Sequence, residues 1–202
     1  MDLENKIPVV EEFYSLQGEG FHTGKAAWFV RVGGCEVGCS FCDEKRAWNV
    51  QNYPKLDVDT IVENAKQCPA KSIVVTGGEP LLYDMTELCN KMHENNFQCF
   101  LETSGSEQLT GDWDWICLSP KYGAAPLPEI FNKANELKVI VGSEEDFLWA
   151  EENAAKVSPK TLLFLQPDWN KCNVMIGKIV DYILKNPKWR MSLQTHKYMQ
   201  IL

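Results

Sequence analysis

Short apolar runs that end in glycine or polar residues constrain the fold of this chain more than any other feature. Ala26–Val32 stops at Gly33-Gly34, and Ser72–Thr76 stops at Gly77-Gly78. Apolar runs of this length between turn residues are typical of strands buried on both faces of a parallel sheet. Further strands are predicted at Phe13–Leu16, Phe97–Thr103, Trp115–Leu118, Leu137–Val141, Thr161–Gln166 and Trp189–Gln194.

Amphipathic segments separate most of these runs, and their apolar residues recur at helical spacing. They are Asp57–Gln67, Asp84–Asn95, Glu144–Lys156 and Val174–Lys185. Asp84 and Glu87 have the spacing of a capping box, which predicts where the second helix begins. Alternating strands and helices indicate an α/β fold with a mainly parallel sheet. The sequence contains no internal repeat and no Gly/Ser linker, so residues 1–202 are expected to form one domain.

Composition excludes several classes of protein. With 45% hydrophobic and 24% charged residues, the chain is neither disordered nor fibrous. The net charge of −8 argues against a dedicated nucleic-acid binder, because acidic surfaces repel phosphate backbones. No run approaches the ~18 apolar residues of a membrane span, and Met1–Val10 lacks the features of a signal peptide. We therefore expect a cytoplasmic protein without a membrane partner.

Polar and glycine-rich segments follow four consecutive predicted strands and one later strand. Each segment alone is also ordinary turn chemistry. Together they favour a common site, because the carboxyl ends of parallel strands meet at one edge of the sheet. The segments are Cys35–Cys42, Thr76–Pro80, Glu102–Gly105, Ser119–Lys121 and Gln166–Asp168.

Three of the eight cysteines, Cys35, Cys39 and Cys42, have the spacing C-x3-C-x2-C. The other five lie in apolar segments and are expected to be buried thiols. A structural zinc site usually needs four protein ligands, and here only a distant histidine is available as the fourth. A cubane iron–sulfur cluster held by three thiolates instead leaves one iron open to bind a cofactor. The spacing therefore favours an iron–sulfur cluster, with zinc as the alternative.

The cysteine spacing, with an aromatic residue before the last cysteine, resembles the signature of radical S-adenosylmethionine (SAM) enzymes. A narrower resemblance, to the 7-carboxy-7-deazaguanine synthases of queuosine and 7-deazapurine biosynthesis, covers nearly the whole chain. Its most specific parts are SLQGEG at residues 15–20 and QTHKY at residues 194–198. Trp28–Arg31, Thr76–Pro80, Glu102–Gly105 and Ser119–Lys121 extend it.

This resemblance implies a partial, TIM-like barrel of about six parallel strands with helices on the outside. It implies a 4Fe–4S cluster on Cys35, Cys39 and Cys42, with SAM on the fourth iron. One electron, from flavodoxin or ferredoxin, then cleaves SAM to methionine and a 5′-deoxyadenosyl radical. The family is commonly dimeric, so a homodimer is expected.

The implied reaction converts 6-carboxy-5,6,7,8-tetrahydropterin to 7-carboxy-7-deazaguanine and ammonia, through removal of the C6 hydrogen and contraction of the ring. The residues implied to contact SAM are Phe41, Asp43, Gly78, Glu79, Ser104, Ser119, Pro120, Lys121, Gln166, Pro167, Asp168 and Trp169. The residues implied to contact the pterin are Leu16, Gln17, Gly18, Glu19, Arg31, Thr76 and Leu202.

The residue chemistry suits these roles. The forked cation of Arg31 matches a carboxylate, and the amide of Gln17 matches a purine-like edge. Gly77 and Gly78 lack a Cβ, so the backbone is expected to approach SAM closely. One position departs from the family. Where many members bind Mg²⁺ through a small hydroxyl residue, this chain has Glu44, so we expect Glu44 to be the magnesium ligand or Lys45 to replace the ion's charge.

Two other functions share parts of this pattern. Glycyl-radical-enzyme activating proteins have the same cysteine spacing but act on a partner protein. A non-catalytic iron–sulfur electron carrier needs a fourth protein ligand and no SAM. The SLQGEG segment and Arg31 favour the synthase over an activating protein, and the number of cysteine ligands distinguishes it from an electron carrier.

Overall fold

The computed structural model describes residues 6–202. Nine strands form one sheet in the order β3-β1-β2-β4-β5-β6-β7-β8-β9. The strands are β1 Lys6–Leu16, β2 Ala26–Val32, β3 Lys55–Asp57, β4 Ser72–Gly77, β5 Gln98–Thr103, β6 Trp115–Leu118, β7 Glu136–Val141, β8 Leu162–Pro167 and β9 Trp189–Met191. The helices are α1 Val58–Ala65, α2 Thr86–Glu94, α3 Pro128–Lys133, α4 Glu145–Ala154, α5 Cys172–Lys185 and α6 Thr195–Met199. None of the helices in this range is long and apolar enough to cross a bilayer.

Strands β2 and β4 to β9 run parallel, whereas β1 runs antiparallel to both β2 and β3. The predicted α/β class with a mainly parallel sheet is therefore confirmed. The sheet is open, because β3 and β9 lie at its two ends. It has seven parallel strands where about six were predicted from the family resemblance.

Side chains alternate between the two faces of the sheet, as the pleat requires. On β7, Leu137, Val139 and Val141 pack into an apolar core that includes residues of α3 to α5. On the first parallel strands, a second core includes residues of α1 and α2. The opposite face of β7 carries Lys138 and Ile140, which line a cavity. One face of the sheet therefore packs against the helices, and the other carries the cavity beside a smaller apolar cluster that includes Phe29 and Val74.

The hairpin loop between β1 and β2, residues 17–25, crosses the amino-terminal ends of the parallel strands. The Phe21 N–H donates to Glu136, the first residue of β7, at 2.8 Å, and the Phe21 ring stacks on Trp115, the first residue of β6. The Lys25 ammonium donates to Gln98, the first residue of β5. Because β1 is antiparallel to β2, its end lies at the opposite edge of the sheet from the cysteines. The loop therefore closes one end of the sheet's inner side.

Most predicted elements match within a few residues, and β2 and β6 match at both ends. The capping-box prediction is wrong: Met85 is the N-cap of α2, and Asp84 instead accepts from the Thr86 N–H. Strand β1 begins at Lys6 rather than Phe13 because its pairing with β2 and β3 outweighs its mixed polarity. Strand β3 and helices α3 and α6 were not predicted, since each is too short to show periodicity.

Candidate active site

A cavity of about 380 Å³ lies on the inner face of the sheet. Its wall extends from the cysteine loop, at the carboxyl ends of the strands, to the hairpin loop at the other end. The wall includes every site residue proposed from the sequence except Lys45 and Pro120, the latter buried between Ser119 and Lys121. The structure therefore brings together segments that are far apart in the chain.

The cysteine loop lies at one end of this cavity. Cys35, Cys39 and Cys42 are half-buried free thiols, and all three contribute to the wall. Burial raises the pKa of Cys39, and the nearby ammonium of Lys121 opposes that rise. Three thiols on one loop, facing one cavity, fit the chemistry of a cluster bound by three cysteines.

Glu79 is a buried carboxylate that has no cationic partner among residues 6–202. It is 1% exposed, and within that range it accepts hydrogen bonds from four uncharged donors. Thr103 Oγ1 lies at 2.6 Å, Ser104 N at 2.8 Å and Ser104 Oγ at 2.5 Å. A buried carboxylate is costly unless it is paired with a positive charge. Its place in the cavity wall fits the ammonium group of an amino-acid ligand such as SAM.

Gly77 and Gly78 are required by contacts within the protein. A Cβ on Gly77 would collide with the Val32 carbonyl oxygen, and one on Gly78 would collide with the Gly34 carbonyl oxygen. Gly77 also has φ +125°, a conformation that L-residues rarely adopt. The glycines therefore let β4 and the segment after it lie directly against the end of β2. Close packing within the protein therefore explains why glycine is needed at positions 77 and 78, in addition to the predicted approach of SAM.

The other segments proposed to bind SAM are fixed by local hydrogen bonds. Lys121 Nζ donates to Ser119 Oγ at 2.6 Å, and burial lowers the pKa of Lys121. Asp168 Oδ1 caps the short helical turn that begins at Trp169 by accepting from the Asn170 N–H. Ser192 Oγ donates to Gln166 Oε1 at 2.6 Å.

Four charged residues form a network at the side of the cavity, which we call the rim: Glu11, Arg31, Glu44 and Arg46. Arg31 Nε donates to Glu11 Oε1 at 2.8 Å and lies 3.6 Å from Glu44 Oε2. Arg46 binds both oxygens of Glu44, at 2.8 and 2.7 Å. Lys45 instead lies over the ring of Trp48. The cation that binds Glu44 directly is therefore Arg46, and replacement of a magnesium charge by Lys45 stays a prediction.

A buried lysine and two half-buried glutamates form a second network, which we call the floor: Lys138, Glu19 and Glu102. Lys138 Nζ lies 2.5 Å from Glu19 Oε2 and 2.8 Å from Glu102 Oε2. Gln17 Nε2 donates to Glu102 Oε1 at 3.2 Å, while Gln17 Oε1 accepts from the Glu19 N–H at 3.1 Å. The sequence interpretation missed Lys138 because it lies within an apolar run, ELKVIV. The only signal was that charge itself, since a lysine inside a buried strand needs a partner.

The carboxy-terminal segment covers one side of the cavity. Gln194 Nε2 donates to Glu19 at 2.8 Å and to Asp43 at 2.9 Å, and Lys197 Nζ donates to Asp43 at 2.6 Å. Burial favours a higher pKa for Asp43, but the hydrogen bonds from Lys197 and Gln194 lower it overall. Leu202 lines the cavity, with its carbonyl oxygen bound by Ser15 Oγ at 2.7 Å.

Comparison with known proteins places this arrangement in a family. Residues 29–174 match the model of the radical SAM superfamily. The chain is 54% identical to the 7-carboxy-7-deazaguanine synthase of Flavobacterium psychrophilum, over 96% of this chain and 92% of that protein. It is 47% identical to the synthase of Synechocystis, over 96% and 93% respectively. The crystal structure of QueE from Escherichia coli superposes with a TM-score of 0.82 at 30% identity, covering 93% of each chain.

Proposed function

The chain belongs to the 7-carboxy-7-deazaguanine synthases of the radical SAM superfamily, and from that premise we propose the reaction that it catalyses. The substrate is 6-carboxy-5,6,7,8-tetrahydropterin. The C6 hydrogen is removed, the pyrazine ring contracts, ammonia leaves, and 7-carboxy-7-deazaguanine is released. SAM is regenerated and serves as a cofactor.

One observation carries this proposal: a single cavity joins the three-cysteine loop to the segment 16–19 and to Arg31. The cysteines suit a cluster, Glu79 suits the amino group of SAM, and Arg31 suits a substrate carboxylate. A glycyl-radical activating protein must instead admit a segment of another protein. The hairpin loop and the carboxy-terminal segment restrict the cavity to about 380 Å³, which suits small molecules.

The chain's own residues are proposed to bind and orient SAM and the pterin. A cluster bound by Cys35, Cys39 and Cys42, together with SAM, supplies the one-electron chemistry of the reaction. Glu79 and Ser104 hold the amino-acid end of SAM, and Lys121 is placed for its carboxylate. Thr76 and Arg31 position the pterin carboxylate. The Asp43–Lys197 ion pair connects the cysteine loop to the carboxy-terminal segment.

Further expectations from the family resemblance extend the proposal. The enzyme works in the cytoplasm as a homodimer, and flavodoxin or ferredoxin delivers the electron. Residues 1–202 form one domain, which the single sheet supports, and that sheet forms a partial barrel with helices outside. Magnesium fits less well. Arg46 binds both oxygens of Glu44, so a magnesium ion would have to compete with this guanidinium for the carboxylate.

Anaerobic reconstitution tests the function. The protein is supplied with iron, sulfide, SAM, a reductant and carboxytetrahydropterin, and the product is identified by mass spectrometry. We expect 7-carboxy-7-deazaguanine from the wild type and none from Cys35→Ala, Cys39→Ala or Cys42→Ala. A brown, folded wild-type protein that binds SAM but leaves the pterin intact would contradict the proposal.

A further inference from the structure

A histidine, a cysteine and an aspartate meet on the helix side of the sheet, outside the cavity. His93 lies in the last turn of α2, Cys99 is the second residue of β5, and Asp114 immediately precedes β6. His93 Nε2, Cys99 Sγ and a carboxylate oxygen of Asp114 all lie within 4.8 Å of one another. None of the three residues belongs to the cavity wall described for residues 6–202. Three separate elements therefore bring three possible metal ligands to one point.

The separations between these atoms suit a transition-metal ion. In a tetrahedral zinc site, bonds of about 2.0–2.3 Å place the ligand atoms roughly 3.3–3.7 Å from one another. Here His93 Nε2 lies 2.9 Å from Asp114 Oδ2, and the other pairs are at most 4.8 Å apart. These values lie on both sides of the zinc range, so small shifts of the side chains would complete the geometry.

An ordinary ion pair explains only part of this arrangement. It accounts for His93 and Asp114, which are in direct contact, but it gives no role to a thiol beside them. The Cys99 backbone N–H also donates to Asp114 Oδ2 at 2.7 Å. The residue that supplies the thiol therefore also orients the carboxylate, as the supporting contacts of metal ligands do.

Burial and charge are also suited to a bound ion. Cys99 is 1% exposed, whereas the side chains of His93 and Asp114 are 32% and 39% exposed. An ion can therefore enter from solvent, and the thiol lies beneath the two ligands that water reaches. A thiolate and a carboxylate together neutralise a dication. The charged groups nearby, Lys25 and Asp112, have opposite signs and leave that balance unchanged.

We propose that His93, Cys99 and Asp114 bind one Zn²⁺ ion, with water as the fourth ligand. Imidazole and thiolate favour zinc over Mg²⁺ and Ca²⁺, which prefer oxygen ligands. On binding, Cys99 releases its proton to solvent, and His93 binds as neutral imidazole through Nε2 in place of its contact with Asp114. The ion joins α2 to β5 and to the start of β6. This zinc site is separate from Cys35, Cys39 and Cys42 and does not depend on the proposed function.

The experiment measures the zinc held by the reconstituted enzyme, in which the cluster occupies Cys35, Cys39 and Cys42. The holoenzyme is equilibrated anaerobically with Zn²⁺, desalted and analysed by elemental mass spectrometry. The wild type should retain one zinc per chain. Asp114→Asn and His93→Gln should bind zinc at least about tenfold more weakly, because even the loss of a group that only orients a ligand costs about that much.

Asp59→Asn is the matched control, because this exposed carboxylate also pairs with α2, through Lys91 at 2.6 Å. It should retain zinc like the wild type. Zinc should also raise the thermal midpoint of the wild type and of this control, but not that of Asp114→Asn, since only a bound ligand stabilises the folded state.

A cobalt spectrum tests whether the thiol is a ligand. It is recorded on the full chain with Cys35, Cys39 and Cys42 replaced by alanine, so that no cluster thiol competes. Added Co²⁺ should give a sulfur-to-cobalt charge-transfer band. The further substitution Cys99→Ser should abolish this band, whereas Cys68→Ser, at another buried thiol, should preserve it.

A wild-type holoenzyme that retains no zinc would overturn the proposal, and so would wild-type zinc content in Asp114→Asn. A cobalt complex without the charge-transfer band would overturn it too. If Cys99→Ser does not fold, the substitutions at the two solvent-facing ligands still decide the outcome. Failure of the proposed function shows differently, as a wild type that holds zinc but does not turn over carboxytetrahydropterin.

Discussion

The rim and the floor are both networks of carboxylates and cations, but they balance their charges differently. The rim pairs two carboxylates with two guanidiniums, and its Arg46 side chain is 63% exposed. The floor pairs two carboxylates with one ammonium that is 4% exposed. The rim is therefore balanced and has one largely exposed cation, whereas the floor has a surplus of carboxylate and its single cation is buried.

This difference separates two kinds of ion pair. Removing one partner of a solvent-exposed ion pair changes the free energy of unfolding little, because water and salt ions solvate the remaining charge. Removing one partner of a buried ion pair lowers the stability much more, because no solvent replaces it. The floor should therefore dominate both stability and ligand recognition, although the rim contains more charged groups.

The largest expected effect comes from removing the cation of the floor. Lys138→Met leaves two half-buried carboxylates without a cation and should destabilise the protein by about 3–5 kcal/mol. Arg46→Met removes the exposed cation of the rim and should leave the denaturation midpoint almost unchanged. Urea unfolding of both variants measures the difference in stability. Equal denaturation midpoints would contradict the distinction between the two networks.

A somewhat smaller effect is expected at the hairpin loop that brings Glu19 to the floor. Gly20 has φ +63°, and a Cβ there would collide with the carboxylate of Glu136. Gly20→Ala should cost about 1–3 kcal/mol. Gly24 also has a positive φ, +88°, but within residues 6–202 a Cβ there would meet only open space. Gly24→Ala therefore measures the backbone strain alone, and equal losses of stability in the two variants would show that contact with Glu136 contributes nothing.

The pH dependence of stability should also reveal the contribution of the Glu19–Lys138 pair in the floor. Glu19 has a folded pKa below its ordinary value of 4.5, so its pairing stabilises the fold above about pH 4.5. That contribution is lost as pH falls through the lowered pKa and Glu19 binds a proton. Thermal unfolding from pH 7 to pH 3 should therefore show a decline that is weaker in Lys138→Met. Parallel curves for the two proteins would contradict this assignment.

The smallest effect is expected at the rim. Arg46→Gln releases Glu44, while Arg31 and Glu11 remain paired. Turnover should change by less than about twofold, because an exposed ion pair contributes little. Assays with EDTA and with added Mg²⁺ check this. If the substitution made turnover depend on magnesium, Glu44 would be an ion ligand that Arg46 normally occupies.

The sequence predicted the cavity wall near the cysteines much better than the floor. Cys35–Cys42, Gly77–Glu79 and Ser119–Lys121 are short contiguous segments, so local spacing indicates their chemistry. Lys138 is a single charge within an apolar strand, and its partners are 36 and 119 residues away. The local sequence does not predict that Lys138 contacts these two residues, because hydrophobic periodicity describes a single strand and not which strands are neighbours.

By itself, the sequence determined the α/β class, most strand and helix positions, and the segments at the strand ends, because these follow from local polarity and spacing. Only the tertiary structure decided which inward-facing side chains meet. The order of the strands, the antiparallel hairpin and the return of the carboxy-terminal segment bring Glu19, Glu102 and Lys138 together. Such contacts depend on the packing of distant elements, and a linear pattern of residues does not encode their distances.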